Sequence, residues 1–409
     1  MRTVSSPTRF LHPFARPAAT AADFITIVRG QGAVLEDDRG TSYIDMMAGL
    51  WYCNIGYGRN EIADAVAEQL RTLGAYHAFE RFTPPAAEEL AARIGDLAPE
   101  AGSRVFLTSS GSEAVESALK LARLTQARSG APERTIIISR RPSYHGVTYG
   151  GMTATGLPAN QASFGPLVPD MVQVDKDDLD AMAALFAADG DRIAAVIAEP
   201  VIGAAGVYPP APGYLEGVRA LCDDHGALLI CDEVITGFGR LGAWWGSQHY
   251  GIRPDLTTFA KAVTSGYQPL GGVVVAPAVA DTLAADPAFV LRHGHTYSGH
   301  PAACVAGLAA IAITEREDLL TRATEIGERL GDGLRTLVDK GSVAEVRAAG
   351  AVFGVGMHPH TPAAVARDAL LEHGIIVRPI GDSTLALCPP LVITDEQIDA
   401  CVEALATTL

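Results

Sequence analysis

The chain has 409 residues, of which 48% are hydrophobic and 19% charged, with a formal net charge of −16. That length suits a large core shared between two domains, and that composition argues against disorder. The acid excess argues against nucleic acid or an anionic membrane as the main partner and leaves small anions to local basic pockets.

The opening MRTVSSPTRFLHPFARPAA lacks the uninterrupted apolar stretch of a signal peptide, and no apolar run suggests a membrane span, so the cytoplasm is the expected location. Residues 30–49, GQGAVLEDDRGTSYIDMMAG, read as strand-turn-strand. Apolar residues at helical spacing follow in 61–73 and 85–97. SRVFLTSS (103–110) reads as a strand with a helix directly behind it at 112–124. Short apolar runs bounded by turn residues mark further strands at 134–139, 193–200, 227–234, 255–260 and 271–276. Strands this apolar fit an α/β fold, with a mostly parallel sheet covered by helices on both faces.

Near residue 300 the pattern changes to an Ala-rich helix (about 301–316), a second helix, the strand-like AVFGVGM and IIVRPI, and a last helix from about 394. The predicted organisation is a large domain (59–300), a smaller C-terminal α/β domain (301–409), and an N-terminal segment (1–58) packing with the latter. The six cysteines (53, 222, 231, 304, 388 and 401) show no CxxC pair and no metal-ligand spacing, which favours reduced thiols.

Three stretches carry chemistry. In TSSGSEAVESALKLAR a strand ends and a helix begins at once, so free N–H groups, the positive dipole end, the Ser110 and Ser112 hydroxyls and the bare backbone of Gly111 can cup a phosphate. An ordinary N-cap reads equally well there. In LLICDEVITGFGR, Asp232 ends an apolar strand where open α/β sheets bind ligands; it pairs with a cation or merely caps a turn. In DLTTFAKAVTSGYQPLGG, Lys261 is the lone charge of an interior-looking run and one of four lysines in the chain. A buried lysine loses its charge easily, and a neutral amine forms a Schiff base with an aldehyde. A phosphate cup, a carboxylate for a ring N–H and a Schiff-base lysine together describe a pyridoxal 5'-phosphate site. No third ligand accompanies His145 or the His293/His295 pair, so these histidines read as structural rather than metal-binding.

With MAGLWYCNIGYG, PSYHG, AEPVIGAAGV, HTYSGHP and CPPLVIT added to these motifs, the sequence resembles the class III aminotransferases over nearly its whole length. These are fold type I pyridoxal-phosphate enzymes, and the likeness is strongest to the omega-amino-acid or amine:pyruvate transaminase group. The resemblance implies that Ser110, Gly111 and Ser112 hold the phosphate, Tyr144 and Val234 flank the ring, and Asp232 meets its nitrogen. It implies that Lys261 carries the cofactor and moves the proton, with His145 and Glu199 beside the cofactor. Thr296 would reach the phosphate of a neighbouring subunit, which implies at least a homodimer, with pairing into tetramers left open.

Trp51 and Tyr52 resemble the aromatic wall of a substrate pocket, Phe79 and Arg81 its entrance, Ala204 a place for a bulky group, and Arg378 a mobile receptor for a carboxylate. The implied reaction passes an amino group from an amine or a beta- or omega-amino acid to a keto acid such as pyruvate, in two half-reactions. A diaminopelargonate-type transaminase, another class III aminotransferase, and an aminomutase or racemase on the same scaffold remain alternatives. Trp51-Tyr52 departs from the paired tryptophans of the diaminopelargonate enzymes.

Overall fold

In a computed structural model the described residues are 7–409; the first six, part of the opening stretch read as lacking a signal peptide, lie outside them. Among the described residues fifteen strands, numbered in chain order, form three sheets. The central sheet runs β4 (Arg104–Thr108), β10 (Gly271–Val275), β9 (Leu256–Phe259), β8 (Leu228–Asp232), β7 (Ile193–Ala198), β5 (Ile136–Arg141), β6 (Met171–Asp175). Only β10 runs against the rest, pairing antiparallel with both β4 and β9.

The period of two in these strands feeds two cores. Ile137, Ile197 and Ile230 pack against Ala114, Val115, Ala118 and Leu121 of the helix Gly111–Arg128. Their neighbours Ile138, Val196 and Leu229 pack on the other face against Phe186, Val218 and Cys222, from the helices Leu179–Asp189 and Tyr214–His225. β10 needs glycine where it meets the end of β4: a Cβ at Gly271 would stand 2.7 Å from the Ser110 carbonyl oxygen.

A second sheet joins β1 (Ile27–Gln31), β2 (Val34–Asp37) and β3 (Ser42–Asp45) to β13 (Ile375–Ile376), so both ends of the chain build it. The third has the order β11 (Glu345–Ala349), β12 (Val352–Gly356), β15 (Thr384–Leu387), β14 (Arg378–Ile380). One hydrophobic cluster spans both ends, with Met46 and Ile55 packed among residues that include Ile326, Leu330, Leu385 and Leu405.

IIVRPI, read as one strand, is two. Ile375–Ile376 pair parallel with β3 while Arg378–Ile380 pair antiparallel with β15, each at the edge of its sheet. Pro379 has no N–H to give a ladder, which suits an edge position. No helix among the described residues is long and apolar enough to cross a membrane. All six cysteines are free and buried.

Candidate active site

The parallel strands of the central sheet end along one edge, where open α/β sheets gather their ligand groups. β8 delivers Asp232 there, β9 delivers Lys261 after Ala260, β7 delivers Glu199, β5 leads to Tyr144 and His145, and β4 leads to the cup at 109–112.

Lys261 has φ +49, a left-handed backbone uncommon for any residue but glycine. It is closely surrounded, yet part of its surface is still open. Burial pulls its amine down to about 8 from the usual lysine range, and the Arg378 charge acts in the same direction; Asp232, Glu199 and Cys388 oppose it.

Asp232 is 5% exposed, and both of its carboxylate oxygens have partners. Its Oδ2 lies 2.7 Å from His145 Nδ1, and its Oδ1 accepts from Thr258 Oγ1 at 3.0 Å and from the Val234 N–H at 3.2 Å. His145 is itself held by its backbone N–H, which donates to Thr155 Oγ1 at 2.9 Å, and its buried Nε2 has no partner among the described residues. The carboxylate of Glu199 accepts from the Tyr144 N–H at 3.0 Å and the Gly203 N–H at 2.9 Å. Burial raises its pKa, against the pull of His145. Arg140 bonds the Glu199 backbone carbonyl, not the carboxylate.

The helix behind β4 begins at Gly111, and the N–H groups of Gly111 and Ser112 have no intrahelical acceptor. Ser110 caps that helix by accepting from the Glu113 N–H at 3.2 Å, so the N-cap reading holds and coexists with an open cup. Ser112 Oγ accepts from the Val147 N–H at 3.1 Å. Val234 borders the same place: a Cβ at Gly111 would come within 3.0 Å of Val234 Cγ1.

Arg378 is half-buried on β14, and its guanidinium forms no ion pair or hydrogen bond among the described residues. Burial lowers its pKa and Tyr144 opposes that shift; the Tyr144 hydroxyl in turn is raised by burial and lowered by Arg378. Trp51 is 2% exposed, with φ +65 and an unpartnered indole N–H. It packs in a cluster with Val201, Ile235, Ala386 and Cys388, against which half-buried Ala204 and Ile380 rest.

Phe79 and Thr296 are exposed, as is Arg81. They belong to segments that touch each other, since a Cβ at Gly294 would lie 3.4 Å from the Phe79 ring. Among the described residues no hydrogen bond ties Phe79 or Thr296 to Lys261, Asp232 or the residues around them. Sequence reasoning missed Thr258 and Thr155, the hydroxyls that fix Asp232 and His145; a threonine in an otherwise apolar strand was the available signal for Thr258. Clefts of about 530 and about 440 Å³ flank residues 286–293 but include neither Lys261 nor Asp232, so chemistry rather than cleft size locates the site.

A family model for class III aminotransferases matches residues 16–409. The chain belongs to the class III aminotransferases. An omega-aminotransferase of Caulobacter vibrioides is 36% identical over 90% of this chain and 89% of its own. A beta-alanine–pyruvate aminotransferase of Pseudomonas aeruginosa is 35% identical over 97% of this chain and 94% of its own. The crystal structure of a thermostable (S)-enantioselective omega-transaminase from Thermomicrobium roseum superposes with a TM-score of 0.93 at 37% identity, covering 97% of this chain and 95% of that one.

This aminotransferase works with pyridoxal 5'-phosphate, and its residues fit the group. An amine with a lowered pKa, a buried carboxylate and a helix N-terminus kept bare by a glycine gather at one sheet edge. Its substrates are an amino donor and a keto acid.

Proposed function

We propose that this aminotransferase is an omega-transaminase, taking the amino group of a terminal amine or a beta- or omega-amino acid and passing it to pyruvate or another keto acid. The observation that carries the reading is Arg378, a half-buried guanidinium whose charge is felt at Lys261 and which has no carboxylate partner among the described residues. Beside it lies the apolar cluster of Trp51, Ile235, Ala204 and Ile380. A planar guanidinium binds a carboxylate through two parallel hydrogen bonds, and the apolar wall takes an uncharged group. The relatives named for omega-amino substrates and pyruvate support the same reading.

Pyridoxal 5'-phosphate, when bound, supplies an aldehyde that takes up amines and a ring that accepts electrons. The chain's residues divide the remaining work. Gly111 and Ser112 would give N–H groups to the phosphate, with Ser110 shaping their turn, and Val234 and Tyr144 would flank the ring. Asp232, oriented by His145 and Thr258, would keep the ring nitrogen protonated. Lys261 Nζ would take up the proton from the amine-bearing carbon and hold it beside the reacting atoms. Glu199 ties Tyr144 to the Gly203–Ala204 turn, so the ring flank and the small-residue side of the pocket move as one. Thr296 serves a neighbouring copy, which makes the protein a homodimer, and Phe79 lines the substrate entrance; the proposed location is the cytoplasm. The chain divides into the large domain 59–300 and a smaller one built from 301–409 with the segment 1–58.

Arg378→Ala tests the reading. Loss of a charge-assisted bidentate contact costs about 2–4 kcal/mol, roughly 30- to 1000-fold in affinity. The keto-acid half-reaction is expected to weaken on that scale while the half-reaction with a carboxylate-free amine changes little. Equal loss in both would remove Arg378 from substrate recognition.

A further inference from the structure

Arg378 lies in the third sheet and Lys261 follows a strand of the central one, so whatever joins the two sheets sets the gap between them. The joint has a polar centre. Arg240, in the GFGR stretch after β8, is wholly unexposed. Its Nη1 donates to the carbonyls of Ala351 at 3.1 Å and Pro389 at 2.7 Å, and its Nη2 donates to Asn54 Oδ1. The Ala351 N–H donates back to the Arg240 carbonyl at 3.0 Å. Asn54 Nδ2 donates to the Phe238 carbonyl at 3.0 Å, and the Asn54 carbonyl accepts from the Leu391 N–H at 2.8 Å.

Ala351 immediately precedes β12, and Pro389 follows shortly after β15. These two strands are paired, Phe353 against Leu387, so one guanidinium grips adjacent strand ends. β15 pairs in turn with β14, Arg378 against Ala386. Gly350, φ +50, lets the β11–β12 turn touch this joint: a Cβ there would stand 2.8 Å from the Arg240 carbonyl oxygen. No carboxylate pairs with Arg240 among the described residues. A buried charge of this kind is a poor way to gain stability, because apolar side chains of similar volume often do as well. A rigid fork with several donors, however, fixes the relative position of the segments it joins.

We propose that Arg240 and Asn54 are positioning residues for keto-acid recognition, holding the Arg378 strand at the distance from Lys261 that a keto acid spans between its carboxylate and its carbonyl carbon. The inference rests on the assignment of Arg378 as the carboxylate receptor. It separates the two half-reactions, because an uncharged amine does not use Arg378 and is indifferent to a small shift of its strand.

The test uses holoenzyme and single-turnover kinetics of each half-reaction, with pyruvate and with a carboxylate-free amine. Asn54→Ala leaves the two Arg240–carbonyl bonds in place and is the gentler variant; Arg240→Lys is the second. Asn54→Ala is expected to raise the pyruvate concentration for half-maximal rate about tenfold or more, since small misplacements far from the chemistry cost up to about 100-fold. The amine half-reaction is expected to stay within about twofold of the parent. Combined with Arg378→Ala, Asn54→Ala should add almost nothing, because both act on one contact. If Arg378→Ala alone shows no selective loss with pyruvate, the receptor assignment falls and takes this inference with it. If Arg378→Ala is selective while Asn54→Ala and Arg240→Lys slow both half-reactions alike or leave both unchanged, the inference is overturned and the receptor stands. Losses by Asn54→Ala and Arg378→Ala that multiply in full in the double variant overturn it as well.

Discussion

The amine of Lys261 is expected to titrate far below an ordinary lysine in the apoenzyme, and the structure sets the size of the effect. Burial brings its pKa to about 8, against about 10.4 for a free side chain. At pH 7 that makes the neutral, nucleophilic fraction roughly 200-fold larger than for an exposed lysine, near one amine in ten. Competitive reductive methylation with formaldehyde and cyanoborohydride, read peptide by peptide, reports each lysine separately, and the chain has only four, with exposed Lys340 as internal reference. The Lys261 peptide should gain label with a midpoint near pH 8, its reactivity falling as pH drops through that value because the amine takes up a proton. The signs of two variants follow from the neighbouring charges: Asp232→Asn should lower the midpoint and Arg378→Ala should raise it. A midpoint at or above pH 10, or variants that shift it in the opposite directions, would refute the argument from burial and its neighbours.

Asp232→Asn, which keeps the shape but removes the charge, is also expected to slow the isolated half-reactions by roughly 10²–10⁴; an unchanged rate constant would show that another group holds the ring proton. Mixing inactive Lys261→Ala chains with inactive Thr296→Glu chains should restore activity in proven heterodimers, and failure to complement would confine Thr296 to its own chain. Trp51→Leu empties part of a buried cluster, so a loss of about 2 kcal/mol in stability by denaturant titration is expected. The same variant should accept bulkier amines; a fall in stability with an unaltered amine size range would leave Trp51 as core alone.

The central strands were legible because they are buried on both faces. IAAVIA and GGVVV are buried at every position, and a continuous apolar run is what such burial demands. The edges were not. β6, MVQVD, lies at one rim of the central sheet, only partly buried along most of its length, and β11, EVRAA, lies at the rim of the third, so neither makes an apolar run. The site was legible for a different reason: an α/β sheet brings strand ends together whatever lies between them. Asp232 and Lys261 are far apart in the chain, yet register sets Asp232 beside Thr258 on the neighbouring strand.

Arg240 shows where such reading stops. A charged side chain announces a carboxylate partner when one exists, and pairing rules then narrow the search. The guanidinium of Arg240 instead meets two backbone carbonyls and one amide, separated from it by 111, 149 and 186 residues. A backbone carbonyl is common to every residue, so Ala351 and Pro389 carry no mark of the bond they accept. Only the folded path of the chain places them at that guanidinium, and the same path brings the Arg378 strand up to the site.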